Sequence, residues 1–207
     1  MMQLIVSALS PFARKCVITA HHVGIIEKIS LESSLAHPID RNQSIVEKNP
    51  LGQIPTLTLD NGQVLHDSRV ICEYFNHLGQ AKLFGDDSHP SFKWEILTDA
   101  SLADGITDAT ILVRYEQAVR PQQYQWNEWV TGQLEKVHKG LSAFDSKANS
   151  LMKRFDIGTI SLICALDYLS IRLPELDWVS KYPNLANWYN KHNDEHVSIA
   201  KTKPNAP

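Results

Sequence analysis

The segment Asn49-Pro50-Leu51-Gly52-Gln53-Ile54-Pro55-Thr56 constrains this chain more than any other, because Asp67-Ser68 follows it eleven residues later. The first stretch reads as a loop that delivers an Ile-Pro step to the start of a strand. Thr56 to Asp60 and Gln63 to His66 flank Asn61-Gly62, a strong hairpin signal because both turn positions accept positive φ. Asp67 or Ser68 then caps a helix carrying Val70, Ile71, Tyr74, Phe75 and Leu78. Loop, hairpin and helix start together outline a small polar pocket that can hold a peptide-like ligand by its backbone and its carboxylate.

Upstream, Gln3 to Leu9 is a short apolar run closed by Ser10-Pro11, which reads as a buried strand. Pro11 suits the first turn of a helix, where its missing N–H costs nothing. Val17, Ile18, Ala20 and His21 continue that helix, which is expected to stop near Gly24. Ile29 to Glu32 reads as a second strand. The order is therefore β-α-β-α-β-β-α, a mixed α+β half. After Gly85-Asp86-Asp87-Ser88-His89-Pro90 the pattern turns all-helical. Ile96, Ala100, Ala103, Ile106, Thr110 and Val113 keep helical spacing, as do Val130, Leu134, Val137, Leu141 and Phe144. Ile157 to Leu173 is apolar nearly all round and is expected to be the central buried helix. Leu185, Trp188 and Tyr189 begin a last amphipathic helix after Pro183, and the polar tail from Asn193 is expected at the surface. The expected division is 1–79, a linker 80–90, and 91–207.

Composition excludes several classes. The net charge of −3 and the lack of any basic run argue against nucleic acid as a partner. No apolar run approaches the roughly 20 residues needed to span a bilayer. Met1 to Leu9 is too short and uncharged for a signal peptide. Cys16, Cys72 and Cys164 are far apart in sequence and odd in number, which points to reduced, buried, inert thiols and a cytoplasmic location. The nine histidines show no metal-ligand spacing, so no metal is expected.

Two groups of residues stand out as candidates. Ser10 sits between a strand and a helix opened by Pro11. There it can act as a plain N-cap, or its hydroxyl can donate to a ligand thiolate. In the helical half, Asp104 and Asp108 lie one turn apart and share a face with Leu97 and Leu112. That face reads either as a solvated polar patch or as the border of a substrate pocket. Asp156-Ile157-Gly158-Thr159 offers Asp156 as an N-cap for the buried helix but no carboxylate to complete a capping box.

With these motifs in place, the chain resembles the cytosolic glutathione S-transferase family over nearly its whole length. The segment Leu51 to Leu57, Asp67-Ser68, and Tyr182-Pro183-Asn184-Leu185 with Trp188 carry the resemblance. Leu102 to Ala109, followed by Arg114, Glu116-Gln117 and Arg120-Pro121, is similar to the bacterial YibF-like subgroup. The resemblance implies a thioredoxin-like glutathione-binding half followed by an all-α half with the second-substrate pocket. It implies glutathione as cosubstrate, a small electrophile as partner, and a homodimer with Arg69 near the two-fold axis. Ser10 would stabilise the glutathione thiolate, with backbone N–H groups near Phe12 and Ala13 helping. Ile54-Pro55 would be a cis step exposing the Ile54 backbone to the ligand, where spacing alone favours trans. Ser68 would meet the γ-glutamyl carboxylate, and Asp67 either its ammonium or the helix start. A side chain within 37–43 is expected to contribute. Asp104, Asp108 and Leu112 would line the second pocket. A glutathione-dependent reductase, isomerase or peroxidase, or a non-catalytic glutathione-binding stress protein, stays open beside the transferase.

Overall fold

Buried and exposed residues interchange along Met2–Val6, and this run forms strand β1 of a mixed sheet in the computed structural model of the protein, which describes residues 1–204. The end of the expected helical half, up to Pro207, lies outside the described residues. Helix α1 (Pro11–His22), strand β2 (Ile29–Ser33), helix α2 (Gln43–Val46), strands β3 (Thr56–Thr58) and β4 (Val64–Leu65), and helix α3 (Ser68–Leu78) follow. The sheet order is β2-β1-β3-β4, with β1 parallel to β2 and antiparallel to β3. This is the thioredoxin-like arrangement that the resemblance implied. Leu4 and Ile5 of β1, Ile18 of α1, Leu57 of β3, and Ile71 and Phe75 of α3 are almost wholly buried. Burying each such side chain stabilises the unit by roughly 1.5–3 kcal/mol.

The hairpin differs from the expected two-residue turn. Leu59 N–H donates to Gln63 C=O at 2.8 Å, and Gly62 N–H donates to Leu59 C=O at 2.9 Å. Only Gly62 of the turn has positive φ, at 85°. The connection is therefore a longer loop closed by a left-handed glycine, which shortens both strands relative to the sequence reading. Asn61 contributes through its side chain, whose Oδ1 accepts from Gln63 N–H at 2.9 Å, and not by taking a left-handed conformation.

The other elements are helical: α4 (Pro90–Ala118), α5 (Asn127–Leu151), α6 (Ile157–Arg172), α7 (Trp178–Lys181), α8 (Pro183–Glu195) and α9 (Val197–Ala200). The residues group into two compact units, Ser91–Val197 and Met1–Pro90 with the chain from Ser198 onward. In the helical unit every residue of α6 from Ile157 to Leu169 is buried, which its unbroken apolar composition requires. Its start corrects the sequence reading. Asp156 Oδ1 accepts from Thr159 N–H at 3.1 Å, and Asp156 N–H donates to the Thr159 hydroxyl at 2.9 Å. The capping box is complete because a hydroxyl can accept where a carboxylate was expected. Helix α8 packs on α5 and borrows its cap from there, since Asp145 Oδ1 accepts from Leu185 N–H at 2.9 Å.

The polar tail is also not wholly at the surface. Ile199 is fully buried and Ser198 nearly so. Arg14, itself buried in α1, donates from Nε to Thr202 C=O at 2.9 Å. A buried guanidinium needs acceptors, and the returning chain supplies them.

Candidate functional site

The loop Asn49–Pro55 is built from one buried side chain outward. Asn49 is 2% exposed. Its Nδ2 donates to Gln53 C=O at 3.0 Å and to the Thr56 hydroxyl at 3.2 Å, and its Oδ1 accepts from Leu51 N–H at 3.1 Å. Thr56 in turn donates to Gln53 C=O at 2.8 Å. Gly52 has φ of 63°, and a Cβ there would stand 3.1 Å from both Arg41 Nη2 and Val46 Cγ2. The position therefore requires glycine for its backbone as well as for its neighbours. The Ile54-Pro55 peptide is cis. The β1–β3 ladder ends at the pair Ile5–Thr56, so Ile54 lies just past the paired part of the strand.

Within 37–43 the sequence left the contributing side chain open. Arg41 is the one held against the loop, its Nη2 donating to Pro50 C=O at 2.7 Å. Asn42 caps α2, accepting from Ser44 N–H at 3.1 Å. His37 Nδ1 accepts from Asp40 N–H at 3.0 Å and so shapes the turn before them.

Two helix starts complete the arrangement. Ser10 is the N-cap of α1, its Oγ accepting from Ala13 N–H at 3.2 Å, with Pro11 in the first turn. Such a hydroxyl still has its own hydrogen to donate. Phe12 is half-buried beside it and Ala13 is buried. Asp67 is the N-cap of α3, accepting from Arg69 N–H at 2.9 Å and pairing with the Arg69 guanidinium, Nη2 to Oδ2, at 2.9 Å. Burial pushes the Asp67 carboxyl up, but hydrogen bonds from Arg69 and the charges of Arg69 and Lys15 outweigh it, and the group sits below the ordinary carboxylate range. Ser68 is the first residue of α3 and is 3% exposed.

The three cysteines are free and buried. The sequence kept Cys16 and Cys72 apart, yet packing of α1 on α3 sets their sulfurs 3.7 Å from each other. Only the fold brings this pair together.

In the helical unit, a cavity of about 590 Å³ runs along α4 and α5 and is lined by Trp94, Leu97, Ser101 and Gly105 with Lys136. Of the expected pocket residues, Asp104 is buried at 9% exposure, Asp108 is exposed, and Leu112 is 39% exposed. None of these three lines that cavity. Their neighbour Leu97 does.

Comparison with known proteins fits this geometry. Residues 9–78 match the glutathione S-transferase N-terminal domain model, and residues 127–191 match the C-terminal domain model. The chain is 30% identical to the GST-like protein YibF of Escherichia coli (strain K12), covering 98% of each protein. A glutathione transferase family member from Pseudomonas fluorescens Pf-5, solved with bound glutathione, is 39% identical over 99% of this chain and all of that one, with a TM-score of 0.93. A glutathione S-transferase from Methylobacillus flagellatus KT with GSH bound is 32% identical over 99% of this chain and all of that one, with a TM-score of 0.85. Both of these solved relatives hold glutathione, and by the domain matches and the identity to YibF the chain belongs to the glutathione S-transferase family.

Proposed function

We propose that the protein is a glutathione transferase in which Ser10 stabilises the glutathione thiolate for attack on a small electrophile. The observation that carries this reading is the Ser10 cap. Its oxygen already accepts from Ala13 N–H, so its hydrogen is the part left to give, at the positive end of a twelve-residue helix. The thiolate is the nucleophile, and a free thiol with a pKa near about 8.5 is mostly protonated at neutral pH. Cysteine is absent from position 10. That favours thiolate stabilisation over a mixed-disulfide reductase mechanism.

The cosubstrate is placed in the Met1–Pro90 unit. The Ile54 backbone beyond β3 would pair with the cysteinyl part as an added strand, against Pro55. Asp67 and Ser68 at the start of α3 would take the γ-glutamyl end, and N–H groups near Phe12 would share the thiolate. Arg41, fixed on the loop, is the cation we assign to the outer end of the tripeptide. The electrophile would sit on the helical unit near Asp104, Asp108 and Leu112. Three free, buried cysteines favour a cytoplasmic setting. Among the described residues no single helix is long and apolar enough to cross a membrane.

Isothermal titration with glutathione tests the binding part. Wild type should bind at millimolar glutathione or below, and Ser68→Ala should weaken binding by about 1–3 kcal/mol through loss of a charge-assisted bond. A wild type that gives no heat at millimolar glutathione removes the reading.

The assembly is proposed as a two-fold homodimer with Arg69 and the start of α3 near the axis. Arg69 is exposed, as such a contact requires. Sedimentation at micromolar concentration should give twice the 23.4 kDa chain mass, and a single 23.4 kDa species would refute the dimer.

A further inference from the structure

Arg14 is a charged residue in the core of its unit, 7% exposed on α1. Its acceptors come from the far end of the chain. Nε donates to Thr202 C=O at 2.9 Å, and Nη2 donates to Ile199 C=O at 3.5 Å. Both carbonyls lie at or just after the end of α9, where a cation is well placed. The side chain of Ile199 is fully buried, and the chain from Ser198 onward groups with the unit that contains α1. The C-terminal segment is thus held to α1 by one apolar anchor and one buried, charge-assisted clasp.

Arg14 also closes the first turn of α1. Its N–H donates to Ser10 C=O at 3.0 Å, while Ala13 N–H donates to Ser10 Oγ at 3.2 Å. The direction of the Ser10 hydroxyl follows the placement of that turn, and Arg14 joins the turn to α9. Helix α1 also rests on α3, where Cys16 Sγ lies 3.7 Å from Ser68 C=O, but a thiol is a weak donor. The guanidinium contact is the stronger tether, because a charged donor in a low-dielectric interior binds its acceptor tightly.

We infer that Arg14 is a positioning residue for Ser10: by docking α9 on α1 it fixes the direction of the hydroxyl that meets the glutathione thiolate. The inference rests on the transferase reading above and gives the C-terminal segment a part in it. A hydrogen bond weakens steeply as its donor swings off line, so a small shift of the first turn removes much of the bond to the thiolate. A residue that only stabilised α1 would be equivalent to any other core contact of that helix, such as Ile18, which is also fully buried.

The ultraviolet absorbance of the thiolate, taken as the difference between full-length protein with saturating glutathione and without it, reads this bond across pH. Wild type should form the thiolate at lower pH than free glutathione does. Arg14→Gln should hold about tenfold less thiolate at a given pH below the midpoint, with glutathione affinity changed less than about threefold. Ile199→Ala keeps the guanidinium and its charge but removes the anchor of α9. It should shift the titration the same way, by about threefold or more, and it carries the test where Arg14→Gln does not fold. Ile18→Val loosens the buried face of the same helix and should leave the titration at the wild-type value. Lys15, Asp67 and Arg69 are unchanged throughout, so their charges cancel from the comparison. A wild type that does not bind glutathione, or binds it without lowering its thiol, overturns the transferase reading beneath. A wild type that lowers the thiol while Ile199→Ala or Arg14→Gln keeps the same titration overturns the positioning role alone. An Ile18→Val shift as large as that of Arg14→Gln also overturns it, since any loosening of α1 would then suffice.

Discussion

Ser10→Ala is expected to lower turnover by on the order of 10²-fold while changing glutathione affinity little. The hydroxyl would act on charge that is present on the thiolate and persists toward the transition state, so its loss falls mainly on kcat. Loss of the cap at α1 adds about 1 kcal/mol of destabilisation, which thermal unfolding separates from the kinetic effect. The sign of the pH effect follows from the same bond. A donor to the thiolate favours the charged form and lowers the thiol pKa, so its removal raises that pKa, and the rising limb of the rate profile moves to higher pH. Steady-state rates across pH 5 to 9 for wild type and variant, with about the same saturating glutathione, make the comparison. Unchanged turnover with an unchanged profile would reduce Ser10 to a cap, and the N–H groups near Phe12 and Ala13 would have to act alone.

Arg154→Met is expected to destabilise the helical unit by about 3–5 kcal/mol, the largest stability effect of any single change considered. Arg154 donates through Nε to Asp156 Oδ2 at 2.8 Å and through Nη1 to Asp99 Oδ2 at 3.0 Å and Glu95 Oε1 at 2.8 Å. Asp99 is 1% exposed and Asp156 4% exposed. Removing the cation leaves both carboxylates buried. Asp99 keeps only its contact with Lys147, and Asp156 keeps its role in the capping box. The same substitution disturbs the start of α6, the helix around which this unit is packed. Denaturant unfolding followed by far-ultraviolet circular dichroism measures the loss, and a change below about 1 kcal/mol would show that solvent reaches these carboxylates and replaces the guanidinium. Thr159→Val offers a narrower probe of the capping box. It removes one hydroxyl that both accepts from Asp156 N–H and donates to Asp156 C=O, and should cost about 1 kcal/mol.

Much of the fold was legible because its signals are local. Helix periodicity on α4 and α5, the all-apolar α6, the serine and aspartate ahead of α1 and α3, and the turn at Asn61-Gly62 each depend on residues a few positions apart. The same holds for the loop Asn49–Thr56, whose internal hydrogen bonds close within seven residues. Two failures of the sequence reading were also local in kind. Thr159 replaced the expected carboxylate because either group accepts a hydrogen bond, and Gly62 alone took the left-handed turn position because a longer loop relieved Asn61 of it.

Tertiary structure decided the partners that sequence separation hides. Arg154 meets Asp99 across 55 positions, Cys16 meets Cys72 across 56, and Arg14 meets Thr202 across 188. Periodicity says which face of a helix is buried, but not which other face it meets, because many pairings bury the same apolar area. A charged side chain on that face has no local signature until packing fixes its neighbours and removes water from around it. The sequence by itself therefore determined most of the elements, the caps of α1 and α3, and the loop Asn49–Thr56. Only the packed chain decided which distant carboxylates and carbonyls its arginines meet.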